Sequence, residues 1–288
     1  MSLLSQVGPY KKLILLAIFI RLLVMPFYLH PDIKTYHFQA SFLKKGIFNI
    51  YTYLAENRQT LPLKEEFVYF PLAYFSLGGY QMLMSPLLGI NFDGWLSDSS
   101  GLAATTIGSY RYLFLLKLPY LILDIVAAFI LMSLFVKEED KKKVFTLWLF
   151  NPFTIVLIYV FANIDIIPVV LTLASLYFFR KDRYLLSGSL IGLASGFKTY
   201  PMLFLPFLLI KVNDSKNRLK ILVSTLGIFF MTILPFFSKS FYSLSFASGL
   251  TTRIFSSGIS LGFGEAILPA VVSIIVFFLY VLEKKQIT

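Results

Sequence analysis

Apolar residues in this chain come in blocks, not in the alternating rhythm of a strand. Runs such as LILLAIFIRLLVMPFYL (13–29), YLFLLKLPYLILDIVAAFILMSLFV (112–136) and LKILVSTLGIFFMTILPFF (219–237) carry one or two charges each. A helix that crosses a bilayer needs roughly 20 mainly apolar residues, because lipid offers the backbone no hydrogen-bond partner. On that pattern the spans lie at 12–29, 70–90, 112–136, 144–162, 165–180, 184–200, 201–212, 219–237 and 264–282. Segment 201–212, PMLFLPFLLIKV, is short and holds Pro201 and Pro206, so it reads as tilted or partly helical. The expected fold is an all-α polytopic integral membrane protein, a bundle of about eight transmembrane helices formed as one domain over 1–288.

Polar residues then orient the bundle. KEEDKKK (137–143), RKDR (180–183), KVNDSKNRLK (211–220) and EKK (283–285) are short basic loops between apolar runs. Placed in the cytoplasm, they leave 163–165, 198–201 and the loops 30–70 and 238–264 on the opposite, outer face. Two apolar runs between Asp32 and Lys141 would return the chain to the wrong side if both crossed. Segment 70–90, with Pro71, Gly78, Gly79 and Pro86, is therefore read as dipping in without crossing; a break near Pro119 is the other solution. The outer loop 30–70 is amphipathic, and the aromatic stretch 47–75 that runs out of it fits the membrane interface as flat helices serving as an anchor belt, a lid, or both.

Composition agrees with the pattern. Apolar residues make up 57% of the 288 and charged residues 14%, where a soluble domain would carry about a quarter charged. The net charge of +11 sits in loops, which points to orientation in the membrane and away from nucleic acid. The chain has no cysteine, which excludes disulfides and thiol catalysis, and only two histidines, His30 and His37, which leaves no histidine-rich metal site.

Two sets of charges stand where lipid would penalise them. Arg21 and Asp124 fall near the middle of their spans, and equal depth with opposite sign predicts a buried pair bracing two helices. Asp32, Asp165, Lys198 and Arg253 come from four segments that the topology gathers at one membrane face. Singly each is a helix-end charge; together they describe an outward pocket of carboxylates and cations suited to an anionic, phosphorylated substrate.

The stretches LWLFNPFTIVLIYVFANIDIIPVVLTLASLYFFRKDR and SGSLIGLASGFKTYPMLFLPFLLI resemble the GT-C superfamily of polytopic glycosyltransferases. The likeness is to polyprenyl-phosphate-mannose-dependent mannosyltransferases, including the enzyme that adds the first mannose to GPI anchors. It rests on Asn151-Pro152, Asn163 to Asp165, Arg180 to Arg183 and Lys198-Thr199-Tyr200-Pro201. Arg21, Asp32, Tyr69-Phe70-Pro71-Leu72, the set Lys117, Pro119 and Asp124, and an Arg-Ser loop holding Arg253 extend it over about residues 15–265. The resemblance implies a polyprenyl-phosphate-sugar donor, Asp32 as catalytic base, Lys198 and Arg253 on the phosphate, and Tyr200 and Asp165 orienting these cations. It implies a glycolipid or glycan acceptor and an active site on the non-cytoplasmic face of a plasma or endoplasmic reticulum membrane. The first loop has one Asp where metal-using members have a pair, which favours transfer without a metal or other cofactor. A lipid-linked-sugar transporter or flippase, or an inactive structural member, is the other reading.

Overall fold

The computed structural model describes residues 8–100, 106–247, 259–260, 266–267 and 277. It is helical apart from a two-residue antiparallel pairing of Ile259–Ser260 with Ala266–Ile267. After a 3₁₀ turn come α1 (Lys11–Val24), α2 (Pro31–Ala40), α3 (Ile50–Asn57), α4 (Pro71–Leu88), α5 (Phe92–Ser97) and α6 (Ile107–Ser133). The chain continues through α7 (Glu138–Phe150), α8 (Pro152–Ile155), α9 (Ile166–Phe179), α10 (Tyr184–Ser195), α11 (Leu205–Lys211), α12 (Ser215–Ile233) and α13 (Lys239–Ser245).

The expected bundle of about eight spans is not what these residues form. Among the described residues two helices are long and apolar enough to cross a membrane, Ile107–Ser133 and Ser215–Phe236. A third span arises if α7 and the helical stretch Pro152–Val160, bent by 43° at their junction, count as one. The protein is thus an integral membrane protein with a few spanning helices. The reason lies in length. The runs at 165–180 and 184–200 yield helices of 14 and 12 residues, about 21 and 18 Å at 1.5 Å per residue, against a hydrocarbon core of about 30 Å. The first run likewise gives only the 14 residues of α1. Segment 201–212 divides into a 3₁₀ turn, Tyr200–Phe204, and the seven-residue α11. Segment 70–90 is one continuous helix, α4, with Pro86 in its last turn. Most of the run 264–282 and of the loop 238–264, and Arg253, lie outside the described residues.

The helices α7, α6, α9, α10 and α12 pack in sequence as one row, with α1 against α6 and α7. Close packing of α10 on α12 follows from the sequence SGSLIGLASG. Gly188, Gly192 and Gly196 recur every fourth residue, hence on one helix face. A Cβ at Gly188 would stand 2.6 Å from the Ile221 carbonyl, one at Gly192 would strike the Thr225 carbonyl, and one at Gly196 would be 2.7 Å from Thr232 Oγ1. Small residues let the two backbones approach, as membrane helices favour. Thr225 Oγ1 then donates to the Gly188 carbonyl at 3.0 Å.

The segment expected to lie flat as an aromatic belt turns inward instead. Tyr51, Phe67, Tyr69, Phe70 and Tyr74 are buried, with Phe241 of α13 against Tyr51 and Phe70. Burial is tolerated because the Tyr51 hydroxyl donates to the Tyr69 carbonyl at 2.7 Å. The stretch before α4 is tied to the end of α10 by Phe70 N–H to Phe197 O (3.2 Å) and Leu72 N–H to Gly196 O (3.3 Å). Tyr69 is thereby carried next to Lys198.

Replacing Gly192 by Val should cost about 1–3 kcal/mol of folding stability, the usual penalty for overpacking a close contact. Gly227, on the same helix pair but with open space around its would-be Cβ, is the control: Gly227→Ala should be neutral or stabilising by up to about 1 kcal/mol. Thermal unfolding in detergent compares the two.

Candidate active site

Two charged side chains of α6 organise what surrounds them. Lys117 and Asp124 are seven residues apart, two turns along one face, and both are fully buried. Lys117 Nζ donates to three backbone carbonyls: Met25 at 3.0 Å, Tyr28 at 2.6 Å and Tyr159 at 2.6 Å. These carbonyls belong to the frayed end of α1, which has no following turn to bond, and to the π-helical stretch Val156–Val160. Asp124 accepts from Arg21 Nε at 2.6 Å, from the Tyr159 hydroxyl at 2.9 Å and from Trp148 Nε1 at 2.8 Å. Arg21 also donates to the Ala17 carbonyl and lies 5.5 Å from the Tyr159 ring centroid. The pair expected from depth and sign is thus in contact, with α1, α6, α7 and the π-stretch joined at it.

From this clamp the chain emerges in two segments that face each other. After α1 comes His30-Pro31-Asp32, opening α2. His30 is the N-cap and its Nδ1 accepts the Asp32 N–H at 3.3 Å; Pro31 fills the first helical position, and Asp32 places its charge at the positive end of the helix. After the π-stretch comes Phe161-Ala162-Asn163. Phe161 and Asn163 N–H reach back to Val156 and Leu157 carbonyls, which leaves Ala162 at φ 54°. A non-glycine residue there is strained by about 1–3 kcal/mol and such strain gathers at functional sites. Asn163 Oδ1 accepts the Asp165 N–H at 3.0 Å, a turn that starts α9.

Between the segments opens a cavity of about 160 Å³, lined by His30, Asp32, Tyr36, Tyr69, Phe161, Ala162 and Asn163. The Asp32 carboxylate is 53% exposed, free to meet solvent or a ligand, with His30 Nδ1 3.6 Å away. The His30 ring is held edge-on against Phe161. Tyr36 and Tyr69 meet edge to face at 4.7 Å and form one wall. Lys198 Nζ lies 5.3 Å from the Tyr69 ring centroid and binds both oxygens of Asp165, at 3.0 and 2.9 Å. The Tyr200 hydroxyl donates to the Asp165 carbonyl at 3.4 Å. Burial raises the Tyr36 phenol to about 12, and the charges of Asp32 and Asp165 push the same way. Burial and neighbouring negative charge, Asp165's included, also hold Tyr69 and Tyr200 protonated far above their usual range.

Of the site residues singled out in the sequence, Lys198 and Tyr200 both bond Asp165. Asp32 lies across the tyrosine wall, near enough for its charge to act on Tyr36. His30, Tyr36 and Lys117 were not singled out as site residues. The signal for Lys117 was present, a cation well inside a 27-residue apolar helix. That for Tyr36 was not, since its role depends on Tyr69, which is distant in sequence.

The other end of α2 is fixed by Gln81 of α4, whose Nε2 lies 2.8 Å from both His37 Nδ1 and the His37 carbonyl. Burial lowers the His37 pKa from 6.5 to about 3. The unfolded chain then takes up a proton near pH 6.5 that the fold refuses until about 3, so stability falls as pH drops through that window and is unaffected above it. Unfolding midpoints measured from pH 7 to 4 should decline more steeply for the wild type than for His37→Gln. For the clamp, Asp124→Leu alone should cost about 3–5 kcal/mol by stranding Arg21, whereas Arg21→Met/Asp124→Leu should recover most of that loss. Equilibrium unfolding of the two singles and the double gives the coupling energy.

The profile of glycosyltransferase family 87 matches residues 103–257, a little over half of the chain. GPI mannosyltransferase 1 of Candida albicans is 30% identical over 115 residues, 38% of this chain and 29% of that protein. GPI mannosyltransferase 1 of Saccharomyces cerevisiae is 31% identical over 106 residues, 35% of this chain and 26% of the relative. That of Kluyveromyces lactis is 36% identical over 74 residues, 25% and 18% of the two chains. The match thus spans less than a third of these relatives' length. No solved structure matches. The family match takes in α6, with Lys117 and Asp124, the strained turn at Ala162, and Asp165, Lys198 and Tyr200: the chain belongs to glycosyltransferase family 87, within the GT-C superfamily.

Proposed function

We propose that the protein moves a sugar, mannose, from a polyprenyl-phosphate donor to an acceptor hydroxyl on a glycolipid or glycan, with inversion, on the non-cytoplasmic side of a plasma or endoplasmic reticulum membrane. The observation that carries this reading is the exposed Asp32 carboxylate opening into a cavity whose tyrosine wall abuts the Lys198–Asp165 pair. The likeness to GPI mannosyltransferase 1 of three yeasts supports mannose as the sugar.

In this mechanism Asp32 takes the proton of the acceptor hydroxyl as its oxygen bonds to the anomeric carbon. The bond from that carbon to the phosphate oxygen breaks on the opposite face, and its electron pair leaves with the polyprenyl phosphate. Inversion follows from the opposed faces. Lys198, with Arg253, holds the phosphate and offsets the charge gathering on it. Lys198 already binds a two-oxygen acid, Asp165, and a phosphate presents the same pair of acceptors; Asp165 and Tyr200 keep the ammonium aimed. Tyr36 and Tyr69, held protonated, are neutral walls beside the sugar and do not compete with Asp32 as bases. A single Asp at the place where metal-using members of the superfamily carry a pair makes a poor divalent site, which supports a transfer that uses no metal.

Radiolabelled transfer from polyprenyl-phosphate-mannose, with purified protein in lipid and a panel of membrane acceptors, tests the reading. Asp32→Asn should fold normally and lose about 10²–10⁴-fold in rate, the contribution of a positioned base; EDTA should leave the wild-type rate unchanged. Equal rates for Asp32→Asn and wild type would remove Asp32 from the chemistry.

A further inference from the structure

The far end of the helical row carries a second concavity. The helix α9 starts beside Asp165 and α10 ends just before Lys198, so the turn joining their other ends, RKDR (180–183), stands a helix length from the candidate active site. For the 12 residues of α10 that is about 18 Å. There a groove of about 510 Å³ is lined by Asp182, Arg183, Tyr184, Leu185, Leu186 and Lys220.

Its chemistry divides into a cationic mouth and an apolar wall. The Asp182 carboxylate, the one acid in the lining, accepts from the Tyr184 hydroxyl at 2.7 Å. Lys220 Nζ bonds only the neutral Asn217 amide, and among the described residues neither Arg183 nor Lys220 forms an ion pair. Leu185 and Leu186 supply the apolar lining, and Leu219 and Val223, outside the lining but on the helix that carries Lys220, each expose 59% of their surface, against 62% for Leu185. Lys220, Leu219 and Val223 lie near the start of Ser215–Phe236, one of the helices able to cross the membrane. Lys220 therefore sits near the start of a membrane-spanning helix, with Val223 a turn further along it, and Arg183 stands at the start of α10 with Leu185 beyond it.

We propose that this groove seats an anionic glycerophospholipid, its phosphodiester between Arg183 and Lys220 and an acyl chain along Leu185, Leu219 and Val223. Arg183 offers a planar fork for two phosphate oxygens and Lys220 a point charge. Basic pockets between membrane helices take anionic headgroups on just these grounds. A soluble anion would use the mouth alone. Phosphatidylcholine has the same phosphodiester, but its trimethylammonium group would bring a like charge against Arg183 and Lys220; an acidic lipid fills both parts without that repulsion.

The test follows the unfolding midpoint of the full chain in neutral detergent during titration with dioleoyl phosphatidylglycerol. Dioleoyl phosphatidylcholine and soluble glycerol 3-phosphate are the comparison arms. A ligand bound only by the fold raises the midpoint with its concentration. Phosphatidylglycerol should do so saturably, and the other two should not. R183Q/K220Q should need about thirtyfold more phosphatidylglycerol for half the effect, while K142Q/K143Q, basic residues of α7 outside the groove lining, should titrate like wild type. If the double variant does not fold, K220Q at its exposed position should still require about fivefold more. An unshifted titration for R183Q/K220Q, equal weakening in K142Q/K143Q, or an equal response to phosphatidylcholine would overturn the proposal. An equal response to glycerol 3-phosphate would make the groove a site for free phosphate and overturn the lipid assignment.

Discussion

Two rims of the cavity hang on two buried charges in one helix. Lys117 gathers carbonyls from the end of α1 and from the π-stretch, and Asp124 holds α1 through Arg21, α7 through Trp148 and the same π-stretch through Tyr159. A lone charge within an apolar helix is costly in a membrane. Here each is matched by several short hydrogen bonds, which is the condition under which a buried ion is tolerated. Such bonds need their donors and acceptors in fixed directions, so they set the relation of three chain segments more closely than apolar packing alone. Tyr159 is gripped at both ends, carbonyl to Lys117 and hydroxyl to Asp124, and its position is thereby fixed.

That fixity explains how the strained turn beyond it persists. The π-helical stretch and the left-handed Ala162 are both unfavourable by themselves. They are retained because the residues before them are anchored on α6 and those after them start α9 at the Asn163–Asp165 turn. The other rim, His30-Pro31-Asp32, is set by the same helix through Met25 and Tyr28. One helix thus fixes both sides of the cavity, and the Gly196-Phe197 backbone brings in the third, Tyr69, beneath Lys198.

Much of this was legible in the sequence, and the part that was not has a physical cause. Asp124 and Arg21 announced their pairing because an ionised group in an apolar run has few alternatives. The clustering of Asp165, Lys198 and Tyr200 could be read from their places at helix ends. Span number could not be read, since hydropathy measures how apolar a run is and not where its helix stops. Pro201, the Gly196-Phe197 break and the turn at Asn163 cut continuous apolar runs into helices too short to cross. The inward turn of the 47–75 aromatics was equally hidden, because the same rings suit a membrane surface or a buried network, and only partners such as the Tyr69 carbonyl and Phe241 decide between them. His30 escaped for a similar reason: its capping bond to the Asp32 N–H depends on where α2 begins.

The claim that α6 sets the cavity is best tested by a distance. The chain has no cysteine, so single cysteines at the exposed residues Tyr28 and Phe153 accept spin labels without further engineering. These positions flank the two segments that Lys117 joins. Pulsed electron resonance should give one narrow distance distribution with Lys117 present, and a broadened or shifted one in Lys117→Met, where three carbonyls lose their shared donor. An unchanged distribution in Lys117→Met would mean that apolar packing holds the rims without the clamp.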